Sequence, residues 1–196
     1  MTTTDPSPAA AKAALRREVR IARRARSHSD RVKAAYALAP RALPALGDTG
    51  TVACYLSMPT EPGTSALIEL LRQRDIRVLL PRVNGDSLDW VELKKSTAFT
   101  DSELGMQEPT GSAVPDALSD CDAIVMPALA ISRDGFRLGQ GGGYYDRALQ
   151  HVPTFADGGP MRIALLFDDE LVDSLPHESH DAHVDQVVTP QRVITF

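Results

Sequence analysis

Cysteine is nearly absent from this 196-residue chain, which has only Cys54 and Cys121. Each lies in or beside an apolar run, and neither has a second Cys or a His at metal-ligand spacing. That excludes a disulfide framework and predicts reduced core thiols in a cytoplasmic protein. No apolar run approaches the roughly 20 residues that span a bilayer, so no membrane partner is expected. Residues 1–10 lack the basic and apolar regions of a secretory signal. They read as a disordered lead over 1–8, followed by one domain over 9–196. No internal repeat and no interdomain linker interrupts that domain. Nothing matches the phosphate-loop pattern G-x-x-x-x-G-K-[ST], and the dinucleotide fingerprint fails where its third glycine would fall on Tyr144.

Basic charge is scarce except in one place. The chain carries a net charge of −5, yet residues 12–33 hold nine of its 21 Lys and Arg and only two of its 26 acids. A basic segment on an acidic body suggests a local anion site. It does not suggest a nucleic-acid partner, for which more of the surface would be basic.

Residues 9–37 read as one helix, with Leu15, Val19 and Ala22 on one stripe and Lys12, Arg16, Arg20 and Arg23 on the next. Pro40 and Pro44 are expected to end it. Thr51–Leu56 then reads as a buried strand, 65–74 as a helix and 76–80 as a strand stopped by Pro81. Asn84-Gly85-Asp86 is turn chemistry before a half-exposed strand at 88–93. Residues 96–119 read as loop, 123–126 as a buried strand and 144–151 as a helix. Residues 162–167, 186–189 and 192–196 read as strands. Strands alternating with helices predict a three-layer α/β fold with a largely parallel sheet flanked by helices. Such sheets bind ligands beyond the carboxyl ends of their strands.

Chemistry concentrates in Arg137-Leu138-Gly139-Gln140-Gly141-Gly142-Gly143-Tyr144-Tyr145-Asp146-Arg147. Four glycines in five positions allow positive φ and close approach to a ligand. A helix expected just after them would favour phosphate. A flexible turn without a ligand is the plainer alternative. His177, His180 and His183 stand three apart, a spacing that matches no standard zinc set.

The run Met126-Pro127-Ala128-Leu129-Ala130, followed by Gly135 through Asp146, resembles the signature of 5-formyltetrahydrofolate cyclo-ligases. Further blocks in order are similar to that family. They are Lys12 to Arg16, Tyr55 to Glu61 with Thr64, Leu79 to Arg82, Gly105 to Pro109, and His180-Asp181 with Asp185 and Val187 to Thr189. Gln140 and Gly142 depart from members with a basic residue in the glycine cluster. Ala128 stands where glycine is common.

The resemblance implies an ATP- and Mg2+-dependent enzyme acting on 5-formyltetrahydrofolate, expected as a monomer. It implies catalytic roles for Arg137 and Tyr145. It places Lys12, Arg16, Arg137, Leu138, Gly139, Gln140, Gly141, Gly142, Gly143, Tyr144 and Tyr145 around the nucleotide. Leu56, Met58, Glu61, Glu108 and Tyr145 would surround the folate, and Asp146 and Asp185 would hold the metal. Taken singly, these residues have plainer readings. Lys12 and Arg16 could be a solvated basic face, Asp146 a helix-terminal acid, and Asp185 and Glu61 surface loop acids. Two rival functions fit the same fold. One is a sugar-phosphate isomerase or CoA-transferase-like enzyme without ATP, and the other is a folate-binding protein without turnover.

Overall fold

The computed structural model describes residues 7–102, 106–177 and 182–196. Gly105, His180 and Asp181, quoted above, lie outside the described residues.

The basic segment forms two helices, α1 (Pro8–Ala25) and α2 (His28–Ala45), where the sequence suggested one. Ser7 caps α1, its Oγ accepting the Ala10 N–H at 3.3 Å, and Pro8 opens the first turn. The break follows from a second cap. Ser27 is extended, its Oγ accepts the Asp30 N–H at 3.1 Å and donates to the Asp30 carboxylate at 2.7 Å. Such a cap contributes about 1 kcal/mol and favours a new start there. Contrary to expectation, α2 then runs through both Pro40 and Pro44. Each interior proline costs about 3 kcal/mol. Burial of Leu38, Ala39, Ala42 and Leu43 offsets that cost.

Seven strands form the main sheet: β1 (Thr51–Cys54), β2 (Arg77–Asn84), β3 (Ser87–Glu92), β6 (Ala123–Pro127), β9 (Met161–Leu165), β11 (Gln186–Val188) and β12 (Val193–Thr195). Their order is β12-β11-β9-β6-β1-β2-β3. The inner pairings are parallel, and only β12 and β3 at the edges run antiparallel to their neighbours. The near-continuous apolar runs of β1, β6 and β9 are those of strands covered on both faces. Helix α3 (Ser65–Gln73) follows β1 and packs against α2 and β2, burying Leu67, Ile68 and Leu71. Helix α4 (Tyr144–Ala148) packs against β3. The expected fold class, a largely parallel sheet flanked by helices, is the one observed.

Strand β2 does not stop at Pro81. Its last partner on β1 is Leu79, opposite Ala53, so beyond it only β3 pairs, with Pro81 opposite Trp90. A proline lacking its N–H is tolerated on such a one-sided stretch. The region 96–119 is also more ordered than expected. It contains the hairpin of β4 (Phe99–Asp101) and β5 (Gln107–Pro109). A small second sheet joins β7 (Ala130–Ser132), β8 (Arg137–Leu138) and β10 (Leu171–Val172). Its last antiparallel step feeds the chain into the glycine cluster.

From β1 the chain steps one way to β2, and later returns to place β6 on the other side. The sheet order therefore reverses beside β1, where doubly wound sheets open a crevice beyond their carboxyl ends. Cys54 and Cys121 are both free and buried, as expected of core thiols. Burial pushes the Cys54 thiol well above its ordinary range and the Cys121 thiol up to about 11, so both stay protonated and inert.

Candidate active site

A cavity of about 1280 Å³ opens at that crevice. Single ligands usually occupy roughly 300–1,000 Å³, so there is room for two. Leu56, Met58 and Glu61 enter it from the end of β1, and Pro127 from the end of β6. Pro81, Val83 and Leu88 come from the β2–β3 hairpin, and Glu108 from β5. The segment from Arg137 to Arg147 lines it continuously, and Lys12 and Arg16 reach it from α1. Every nucleotide- and folate-side residue expected from the sequence thus meets in one cavity. Asp185 is not among the lining residues, and its carboxylate accepts the Arg162 N–H at 2.7 Å.

Gly141 has φ +104° and Gly143 φ +69°, conformations that tax any residue with a Cβ. The cluster has no cation of its own, but three arginines from outside it hold its carbonyls. Arg16 Nε donates to the Gly139 carbonyl at 2.9 Å. Arg20 donates to the Gln140 carbonyl at 2.6 Å, and Arg147 to that of Gly142 at 2.9 Å. Among the described residues, none of the N–H groups of Gly139 through Gly143 has a hydrogen-bond partner. Free N–H groups within a ring of cations are what a phosphate needs. Helix α4 has only five residues, shorter than the expected 144–151, so its dipole adds little.

Arg137 is 6% exposed. It donates to the Pro127 carbonyl at 3.0 Å and to Asp146 Oδ1 at 2.6 Å. Its Nε is buried without a partner among the described residues. Tyr145 packs edge-on against Trp90, with ring centroids 6.2 Å apart, and the Arg137 guanidinium lies over the Tyr145 ring at 5.8 Å. The Tyr145 hydroxyl is likewise buried without a partner among the described residues. Burial pushes its pKa well above the ordinary 10.0, so it is a neutral donor. A buried unpaired donor costs about 1–3 kcal/mol, and three belong to residues lining this one cavity, the third being Arg162 Nε.

Glu61 is buried rather than an exposed loop acid, at 5% exposure. One carboxylate oxygen accepts the Met58 N–H at 2.9 Å and the other accepts Gln140 Nε2 at 3.1 Å. Desolvation raises its pKa above the ordinary 4.5, against the pull of those two bonds and of Arg23. Glu108 holds the hairpin, accepting the Val83 N–H at 3.2 Å.

Sequence reasoning passed over Arg147 and Arg162 as cavity residues and left Arg20 in its stripe without a role. Arg147 Nε also donates to the Asp86 carbonyl at 2.7 Å, fastening the β2–β3 turn to the glycine cluster. Arg20 was signalled by its position one turn beyond Arg16, but nothing in the chain marks Arg147 except proximity to the cluster. Of the three spaced histidines, His177 and His183 flank Phe136, and His180 lies outside the described residues.

Residues 8–190 match the family model described as "5-formyltetrahydrofolate cyclo-ligase family". A 5-formyltetrahydrofolate cyclo-ligase of Mycolicibacterium smegmatis is 38% identical, the match covering 74% of this chain and 75% of the relative. One from Mus musculus is 28% identical over 91% of this chain and 93% of its own. The solution structure of Aquifex aeolicus 5,10-methenyltetrahydrofolate synthetase superposes with TM-score 0.79 and 26% identity. That superposition covers 94% of this chain and 92% of the other.

Proposed function

The chain belongs to the 5-formyltetrahydrofolate cyclo-ligase family, and from that premise we propose that it converts 5-formyltetrahydrofolate and ATP into 5,10-methenyltetrahydrofolate, ADP and phosphate. One observation carries the assignment of the site. The two residues expected to act on the reacting atoms, Arg137 and Tyr145, both line the cavity, and each holds a buried donor, Nε–H and O–H, with no partner among the described residues.

A formamide is a poor electrophile, so ring closure needs its oxygen made into a leaving group. The formyl oxygen attacks the γ-phosphorus, and the bond to the β–γ bridging oxygen breaks with its electron pair leaving on ADP. The neighbouring folate nitrogen then attacks the formyl carbon. The carbon–oxygen bond breaks, phosphate departs and the nitrogen loses its proton. The protein's part is positioning and charge stabilisation. Lys12, Arg16 and the free N–H groups of the glycine cluster bind the triphosphate. Arg137 Nε and Tyr145 Oη donate to the oxygens that gain charge during transfer. Leu56 and Met58 flank the pterin, and Glu61 accepts from its aminopyrimidinone N–H groups.

Mg2+ is usually held by one or two carboxylates together with phosphates. Asp146 fits, lining the cavity one turn past the cluster, with Oδ1 anchored by Arg137. Asp185 fits less well, outside the lining and bonded to the Arg162 backbone. When bound, the ion would neutralise charge on the phosphates.

Incubation with 5-formyltetrahydrofolate and Mg-ATP tests the proposal. Methenyl absorbance in the near ultraviolet and ADP should rise in equal amounts. Formylfolate binding without ADP release would favour a binding protein, and product formed without ATP would exclude a ligase.

A further inference from the structure

Gln140 is the only side chain in the run from Gly139 to Gly143. It joins three distant segments. Its Oε1 accepts Arg20 Nε at 3.2 Å and Arg20 Nη2 at 3.1 Å. Its Nε2 donates to Glu61 Oε1 at 3.1 Å. With guanidinium donors at one end and a carboxylate at the other, only one orientation of the amide satisfies both. Arg20 also grips the Gln140 carbonyl, so it fixes the backbone and the side chain of this residue together. Glu61 in turn depends on Gln140, since the Met58 N–H holds only its other oxygen.

We propose that Gln140 is a positioning residue that makes nucleotide and folate binding mutually reinforcing, through the chain Arg20–Gln140–Glu61. The proposal rests on the placement of nucleotide and folate given above. A phosphate held by the cluster's N–H groups orders a glycine-rich backbone that otherwise has wide conformational freedom. Ordering residue 140 fixes the amide that aims the Glu61 carboxylate at the folate. The second ligand to bind then meets a site whose ordering cost has been met by the first. The coupling is reciprocal, so folate tightens nucleotide binding by the same factor.

The test is calorimetric titration of the full-length protein with a non-hydrolysable ATP analogue and Mg2+, with and without saturating 5-formyltetrahydrofolate. In the wild type, folate should tighten the analogue by about fivefold or more. Gln140→Met keeps the length of the side chain and removes both ends of the link. It should bring the ratio to within about twofold of unity while each ligand still binds alone. Arg20→Met should do the same from the other end, and the double variant should lose no more than either single one. A merely structural role would weaken both ligands without changing their ratio. Independent binding in the wild type, or a full coupling factor in Gln140→Met, overturns the proposal. A wild type that binds neither ligand instead overturns the functional assignment beneath it.

Discussion

Replacing Tyr145 with Phe should make the empty protein no less stable while making the enzyme slower. The ring keeps its edge-on contact with Trp90 and its place beneath the Arg137 guanidinium. Only the hydroxyl is lost, and it has no partner among the described residues. An unpaired buried donor costs about 1–3 kcal/mol, so its removal releases up to that amount and breaks no bond. For a protein of this size each kcal/mol moves the melting temperature by about 2–4 °C. The expected shift therefore runs from none to a rise of several degrees. Activity should move the other way. A hydrogen bond to a charged oxygen contributes about 1.5–3 kcal/mol. At about 1.4 kcal/mol per tenfold, kcat/KM should fall about 10- to 150-fold. Thermal unfolding and methenyl absorbance measure the two effects on one preparation. A clear fall in melting temperature, or a kcat/KM within about twofold of wild type, would refute the reasoning.

Other perturbations separate the parts of the site. Gly141→Val forces a β-branched residue to φ +104° beside Arg16, so nucleotide binding should weaken while folate binding alone persists; titration with each ligand decides. Arg16→Ala removes the bond to Gly139 and one cation of the proposed triphosphate site, and should raise the KM for ATP about tenfold or more with less effect on that for folate. Glu61 has a folded pKa raised above its unfolded value. Its contribution to stability is therefore present below the ordinary 4.5 and lost as pH rises through the folded pKa. If Glu61 accepts from the folate as proposed, folate affinity should fall as pH drops through that raised pKa, and Glu61→Gln should abolish this limb of the binding profile. Glu170→Gln uncouples the buried Arg23–Glu170 pair, whose two bonds measure 2.7 and 2.8 Å, and should cost about 3–5 kcal/mol in urea denaturation. Arg23→Met with Glu170→Leu should recover much of that loss.

The parallel core was legible because β1, β6 and β9 are short apolar runs between breakers, a pattern set by burial on both faces. The hairpin turn was legible for a local reason, the run Asn84-Gly85-Asp86, in which Gly85 takes φ +57°. Proline misled twice. The penalties at Pro40, Pro44 and Pro81 are local, whereas the burial of α2 and the one-sided pairing of β2 are tertiary and outweigh them. The cap at Ser27 was present in the sequence as Ser27 followed by Asp30, but the uninterrupted Ala and Arg pattern across it concealed the break. At the site, the glycine cluster announced itself, and the basic stripe on α1 showed Lys12 and Arg16. Glu61 was marked by its place past the end of a buried strand and by the resemblance, but its burial was not legible, because an acid after a strand looks exposed until the fold buries it. The roles of Arg20 and Arg147 depend on contacts 120 and 61 residues away, which no local pattern encodes.

Transfer of phosphate to the formyl oxygen is the central chemical claim, and an isotope follows it directly. 5-Formyltetrahydrofolate carrying oxygen-18 in its formyl group should be turned over with unlabelled Mg-ATP in unlabelled water, and the released phosphate analysed by mass spectrometry. If the formyl oxygen attacks the γ-phosphorus, each phosphate released carries one labelled oxygen. Phosphate free of label, with the heavy oxygen recovered in water, would contradict the account.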